Sequence, residues 1–349
     1  MKKLVCLLLG LAMCLSVGCS KKEANVTPQA PKVEEAEKTE GDSTSENAFL
    51  PQKEIEVVVP SSAGGGSDLH ARTFADISQK NSFSPKSFMV NNMPGGAGAV
   101  AYAYTAGLGK ANADNSITIM HSGQILSTIV NNSPVTAADL TYLPIVAFDN
   151  LTIGVYKDSE IKDIETLIKK ATENPESIKI GGSQRGNSDH LACEMFNKYT
   201  GAKASFVAFD SNGDAMTALL GGHLDAAFFN PSECIGQVEA GEVIPLVAYT
   251  TERMGGLFAD TRTFTEVGYP DLVLREMRGF LGSPDMSPEA IAFYEDVIKK
   301  VTETPEWKNN YISKNNLESV YMTSAEAKEF LEKETEKYVS IFKEVGVIE

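Results

Sequence analysis

The chain has 349 residues, 42% of them apolar, which is enough to build a large core and suggests two lobes. Its 47 acidic and 31 basic side chains leave a formal charge of −16, so nucleic acid is excluded as a partner by net repulsion. Four histidines and five cysteines show no His-Glu-x-x-His or paired-cysteine spacing, which argues against zinc, and no cofactor is expected.

Lys2 and Lys3 precede an apolar stretch, Leu4 to Val17, and then Gly18-Cys19. This is the layout of an export signal over residues 1–18, and its removal takes the charge to about −18. Ser16, Gly18 and Cys19 resemble a bacterial lipobox, with Ser16 standing where a leucine is usual. Acylation at Cys19 would anchor the exported protein to the outer face of a bacterial membrane, in the periplasm or at the cell surface; an ordinary cleaved signal is the alternative. Residues 19–52 are almost devoid of apolar side chains and are expected to stay disordered as a tether, with a reach of roughly 30 Å. No later segment is long and apolar enough to span a bilayer.

From Ile55 onward, short β-rich runs alternate with amphipathic stretches. Strands are expected at 55–59, 87–90, 117–120, 151–156, 177–180, 204–207, 226–229, 244–248 and 279–282. Helices are expected at 69–79, 97–108, 164–173, 189–199, 214–221 and 233–240, with a helical finish over 288–302 and 324–345. The alternation implies an α/β fold with parallel sheets. Cys193 and Cys234 fall in the folded part, and either a disulfide or two buried thiols fits.

The first strand, Val57 to Val59, runs through Pro60-Ser61-Ser62-Ala63 into Gly64-Gly65-Gly66 and a helix start at Ser67-Asp68. Residues without Cβ let backbone N–H groups approach an anion closely, and the helix N-terminus adds unpaired N–H groups and its positive dipole end. A plain strand-to-helix turn is the alternative. The loop lacks the lysine of a phosphate-binding Walker loop, and Leu69 stands where a dinucleotide fingerprint needs its third glycine. A second polar glycine loop, Gly181 to Ser188, again joins a strand to a helix, and Phe209 to Asn212 and Asn230 to Ser232 open further helices. Ligands of open α/β sheets gather at the carboxyl ends of strands, so the four loops are expected to face one cleft.

Several motifs in order resemble the substrate-binding proteins of tripartite tricarboxylate transporters, the Bug family. They are Pro60 to Asp68 followed by Ala71-Arg72, the Asn91 to Ala99 turn, Gly186 to Leu191, Leu220 to Asn230, and Thr263 to Pro270. The resemblance covers nearly all of residues 54–349. It implies a two-lobed, periplasmic-binding-protein-like α/β fold that closes over a small carboxylate, a di- or tricarboxylate or an amino acid, and hands it to a membrane permease. It also implies two crossings between lobes, placed near 151–156 and 279–282, so that residues 53–152 with 280–349 form one lobe and 153–279 the other. Met277 replaces a tryptophan often seen in the family, and Arg185 interrupts the second glycine loop.

On this reading Ser61, Ser62, Ala63, Gly64 and Gly65 supply donors to a carboxylate from one lobe, and Ser183, Gln184, Gly186, Asn187 and Ser188 from the other. Asp68 either accepts from a ligand hydroxyl or ammonium or caps its helix. Arg185 either clamps a second carboxylate or stands exposed. Phe209, Ser211, Asn212, Asn230 and Ser232 are candidate lining groups, while Gly95, Gly96 and Gly98 are assigned to a turn. An exported hydrolase using Ser183 or Ser188 with His190 lacks a nucleophile elbow, so no enzyme is expected. A surface lipoprotein with a sensing or adhesion role on the same fold is the remaining alternative.

Overall fold

The computed structural model describes residues 48–349; the signal, Cys19 and nearly all of the tether lie outside them. The strands are β1 (Ile55–Val59), β2 (Phe88–Asn92), β3 (Ser116–His121), β4 (Thr141–Asn150), β5 (Thr152–Tyr156), β6 (Lys179–Ser183), β7 (Ser205–Phe209), β8 (Ala226–Phe229), β9 (Val243–Ala248), β10 (Arg275–Gly282) and β11 (Glu318–Met322). The helices are α1 (Gly66–Lys80), α2 (Ala99–Ala106), α3 (Lys110–Ala113), α4 (Ser122–Val130), α5 (Ile164–Glu173), α6 (Ser188–Thr200), α7 (Asn212–Leu220), α8 (Pro231–Glu239), α9 (Pro288–Glu303) and α10 (Ser324–Glu344). They build two sheets, of order β11-β4-β10-β3-β1-β2 and β7-β6-β8-β5-β9.

Both sheets are mixed, which corrects the expectation of parallel sheets. β1 pairs in parallel with β2 and β3, and β6 with β7 and β8. β10 is antiparallel to β3 and β4, and β5 to β8 and β9. The cause is the passage between sheets. A strand arriving from the other sheet enters from the side where the parallel strands end, and so runs against them. The chain leaves the first sheet at Leu151, between β4 and β5, and is back in it by Arg275, a few residues before the stretch expected to carry the return.

β4 itself escapes a sequence reading because Pro144 interrupts its apolar run, and proline within a strand ordinarily signals an edge or a bulge. Here β4 is central, and its pairing with β10 shifts register around Gly279. A Cβ on Gly279 would stand 2.7 Å from the Pro144 carbonyl oxygen and 3.0 Å from Ile145 Cα, so only glycine lets the two strands pass.

One core packs α1 and α9 on the first sheet through Phe74, Phe88, Phe280, Tyr294 and Trp307. Another packs α5 and α6 on the second through Ile164, Leu167, Leu191 and Phe196. α10 serves both regions: Ala327 and Leu331 pack with Ile145, Phe148 and Leu281, whereas Tyr338, Ile341 and Phe342 join the second-sheet core. The C-terminal helix is therefore a brace across the two sheets rather than part of one alone. Cys193 and Cys234 are separate buried thiols, one against α5 and α6, the other in a cluster with Phe229 and Phe258.

Candidate functional site

The ends of β1, β3, β6, β7 and β8 and the start of β10 surround a cleft of about 470 Å³ between the sheets. Ser61, Ser62, Ala63, Gly65, Gly66 and Ser67 line it from the first sheet. α1 opens with no side-chain cap, and the amides of Gly65, Gly66 and Ser67 find no acceptor among the described residues. These are free donors at the positive end of a four-turn helix.

Gly64 and Asp68 do not line the cleft; they shape the loop from behind. Gly64, at a φ of +89°, turns its N–H to Asp68 Oδ2 at 2.9 Å. The same oxygen accepts from Arg72 Nε at 2.9 Å, and Oδ1 accepts from Asn92 Nδ2 at 2.9 Å. Burial opposes ionisation of Asp68, but the bonds from Arg72, Gly64 and Asn92 outweigh it and hold the carboxyl below its ordinary value. Both oxygens being engaged, Asp68 is a loop anchor.

Gly66 has a specific reason to be glycine. A Cβ there would meet the Arg278 guanidinium, with Nη2 at 2.5 Å and Cζ at 3.1 Å. Arg278 lies on β10, is 4% exposed, and pairs with Asp149 at the end of β4 through Nε at 2.9 Å and through Nη2. Burial works against its charge, yet Asp149 more than offsets this and keeps the guanidinium protonated. His121, ending β3, borders the cleft. Its Nδ1 accepts from the Gly123 amide at 3.2 Å, so the neutral ring carries its proton on Nε2, which is buried without a partner. Burial, reinforced by Arg278, pushes the His121 pKa down to about 3.

The second glycine loop spends part of its donors inside the protein. The Ser183 amide donates to Asp189 Oδ2 at 2.7 Å and to Asn212 Oδ1 at 3.0 Å. The Gln184 amide donates to the Phe209 carbonyl at 2.8 Å, and the Gly186 amide to His190 Nδ1 at 3.1 Å. Asn187 Oδ1 caps α6 by accepting from the amides of Asp189 and His190. The Ser183, Gln184 and Gly186 amides thus have acceptors within the protein, whereas those of Asn187 and Ser188 find none among the described residues. Ser183, Gln184, Asn187, Ser211 and Asn230 do line the cleft. Ser188 is buried beneath it, and Arg185 is exposed away from it. Gly186 packs on Val130, Phe209 joins the apolar cluster of α7 and α8, and Ser232 reaches Asp149 at 3.4 Å. None of these last five lines the cleft.

Sequence reasoning missed the charged residues Asp149, Glu233, Glu276 and Arg278. Asp189, Asp210, Glu233 and Glu276 line the cleft with Arg278, and Asp149 lies behind them. Glu276 accepts from Asn230 Nδ2, and Glu233 Oε2 accepts from Asn212 Nδ2 at 2.8 Å. Burial raises the pKa of Glu276 and of Asp189, with Asp189 charge adding to the rise at Glu276. Glu233 opens onto the cleft but is walled in by protein, and this pushes it up to about 7, with Asp149 and Asp189 adding to the effect. The signal for Arg278 and Glu276 was their alternation on β10, hidden because that strand was expected to begin only at Gly279.

A hydrolytic pair is not assembled. Ser183 Oγ donates to Asp189 Oδ2 at 2.9 Å, while His190 Nδ1 is occupied by the Gly186 amide.

Residues 78–347 match the family described as tripartite tricarboxylate transporter family receptor. The chain belongs to this family. Its members are extracytoplasmic solute receptors and not enzymes. This receptor is 22% identical over 301 residues to Protein BugT of Bordetella pertussis, covering 85% of this chain and 90% of that one. Its fold is shared with MatC of Rhodopseudomonas palustris, solved with bound malate, at a TM-score of 0.73 and 16% identity, covering 84% of this chain and 99% of that one. It is shared equally with an R. palustris protein solved with adipate, at a TM-score of 0.74 and 22% identity, covering 85% and 99%.

Proposed function

We propose that this receptor captures a small carboxylate in the cleft and delivers it to the permease of a tripartite tricarboxylate transporter, while acylated Cys19 holds it to the outer face of the membrane. The observation that carries the reading is the convergence of three uncapped α1 amides with the Arg278 guanidinium at one wall of the cleft. A carboxylate there would receive backbone and guanidinium hydrogen bonds without requiring the protein to rearrange its own pairs. Relatives solved with malate and adipate support the same ligand class. The lobes follow the two sheets, one built around 53–150 and 275–349 and the other around 152–274, with closure bringing the α1 wall toward Ser183, Ser211 and Asn230.

Calorimetric titration of the ligand-stripped protein with a carboxylate panel tests this. At least one carboxylate binds, and Gly66→Val, whose side chain occupies the space against Arg278, weakens it at least about 100-fold, the scale of losing several charge-assisted hydrogen bonds. Binding by sugars or nucleotides alone, or unchanged affinity in Gly66→Val, contradicts the reading. For the anchor, Cys19→Ser is expected to move the protein from the detergent phase to the aqueous phase on phase partitioning, and retention in the detergent phase contradicts it.

A further inference from the structure

A second cavity, of about 400 Å³, lies where the chain crosses between the sheets. Asn150, the last residue of β4, and Arg275, the first of β10, both line it and stand opposite each other in the ladder. Along β10 it is Glu276 and Arg278 that line the ligand cleft, and successive strand residues point to opposite faces, so Arg275 faces away from that cleft. The remaining walls come from both sides of the crossing: Arg253 and Gly255 from the turn after β9, and Asn316 and Leu317 from the segment before β11. These two segments touch, since a Cβ on Gly256 would stand 2.8 Å from Asn316 Oδ1.

The polar groups here are short of partners. Asn150 is 5% exposed, yet its side-chain amide makes no hydrogen bond among the described residues. The half-buried Arg275 guanidinium lies over the Phe148 ring, 4.6 Å from its centroid, and makes neither a hydrogen bond nor an ion pair among the described residues. Its position is fixed from the backbone, where the Arg275 amide donates to Tyr338 Oη at 3.2 Å. Arg253 directs Nε to both oxygens of Glu266, at 2.9 and 3.0 Å, and its Nη groups have no acceptor among the described residues. A guanidinium stacked on an aromatic ring beside a carboxamide offers planar N–H donors suited to an oxyanion. Glu252 and Glu318 also line the cavity, but both are exposed and hydrated, so they disfavour a large polyanion without neutralising Arg275. A metal ion is not the fit, because no three His, Cys, Asp or Glu side chains among the described residues converge closely enough to hold one.

We propose that this cavity is a second ligand site, separate from the cleft, and that it takes a small oxyanion, a carboxylate or a phosphate-like ion, through Arg275 and Asn150 with Arg253 as the second cation. The site does not depend on what the cleft binds.

The test is calorimetric titration of the full-length chain carrying Gly66→Val, in which the α1 wall of the cleft is obstructed, with inorganic phosphate, sulfate, acetate and malonate at constant ionic strength. At least one of these binds with one-to-one stoichiometry, and Arg275→Gln and Gly255→Phe, each added to that background, weaken it at least about tenfold. Arg275→Gln removes no hydrogen bond or ion pair of the fold. Gly255→Phe keeps every charge and fills the cavity from a residue with a φ of −91° and no heavy atom within 4 Å of its Cβ position, so neither variant is expected to disturb folding. Tighter binding of phosphate or sulfate identifies an inorganic oxyanion, and tighter binding of acetate or malonate a carboxylate. Absence of binding by all four, or an affinity unmoved in either variant, would overturn the second site. Neither result bears on the reading of the cleft, which is scored by Gly66→Val against the native chain.

Discussion

Arg278→Leu is expected to lower stability by about 3–5 kcal/mol, a fall in Tm on the order of 10 °C, and to abolish carboxylate binding. The size follows from what is left behind. Asp149 is fully buried, its Oδ2 takes both guanidinium contacts, and its Oδ1 has no other partner, so removing Arg278 strands a carboxylate without solvent or counter-ion. Glu233 and Glu276 lose the nearby positive charge at the same time. Adding Asp149→Asn to Arg278→Leu removes the stranded charge and recovers part of the Tm but none of the binding. Thermal unfolding of the two variants, followed by circular dichroism, checks this; a single variant with unchanged Tm would show that the buried pair contributes little.

The ligand-free protein is expected to lose stability as pH rises from about 5 to about 8, by several degrees in Tm. Asp189 and Glu276, both buried, have folded-state pKa values raised above their ordinary ones, chiefly by that burial. In that window the folded chain holds protons that the unfolded chain has released, so unfolding releases protons and is favoured by raising the pH. Each unit of raised pKa corresponds to about 1.4 kcal/mol. Carboxylates with lowered values, such as Asp68 and Glu266, act in the opposite sense, but only in the acid range below their ordinary titration. Tm measured from pH 5 to pH 9 in wild type and Glu276→Gln separates this from general acidic repulsion: the variant flattens the decline. A Tm that climbs between pH 5 and pH 8, or a slope unaltered in Glu276→Gln, contradicts the account.

What a linear reading recovers here depends on whether the determining interaction is local. The Val57–Asp68 stretch carries its meaning within twelve residues, since the strand, the glycines and the helix start are contiguous, and the uncapped α1 N-terminus lies where that pattern puts it. The second loop looks equivalent in sequence but offers fewer free amides, because the Ser183 amide is taken by Asp189 and by Asn212 from another loop. The acidic floor was invisible for a related reason. Asp149 sits at the end of β4, a strand masked by Pro144, and Glu276 and Arg278 lie on a strand that pairs with residues more than 120 positions earlier. Buried charge of this kind is specified by the meeting of β4, β8 and β10, and no short window contains it.

The most direct test of the account is a crystal structure of the protein with a bound carboxylate. The account predicts carboxylate oxygens within hydrogen-bonding distance of the Gly65, Gly66 and Ser67 amides and of Arg278. A carboxylate seated instead on the second loop near Ser183 and Gly186, or outside the cleft, would contradict it.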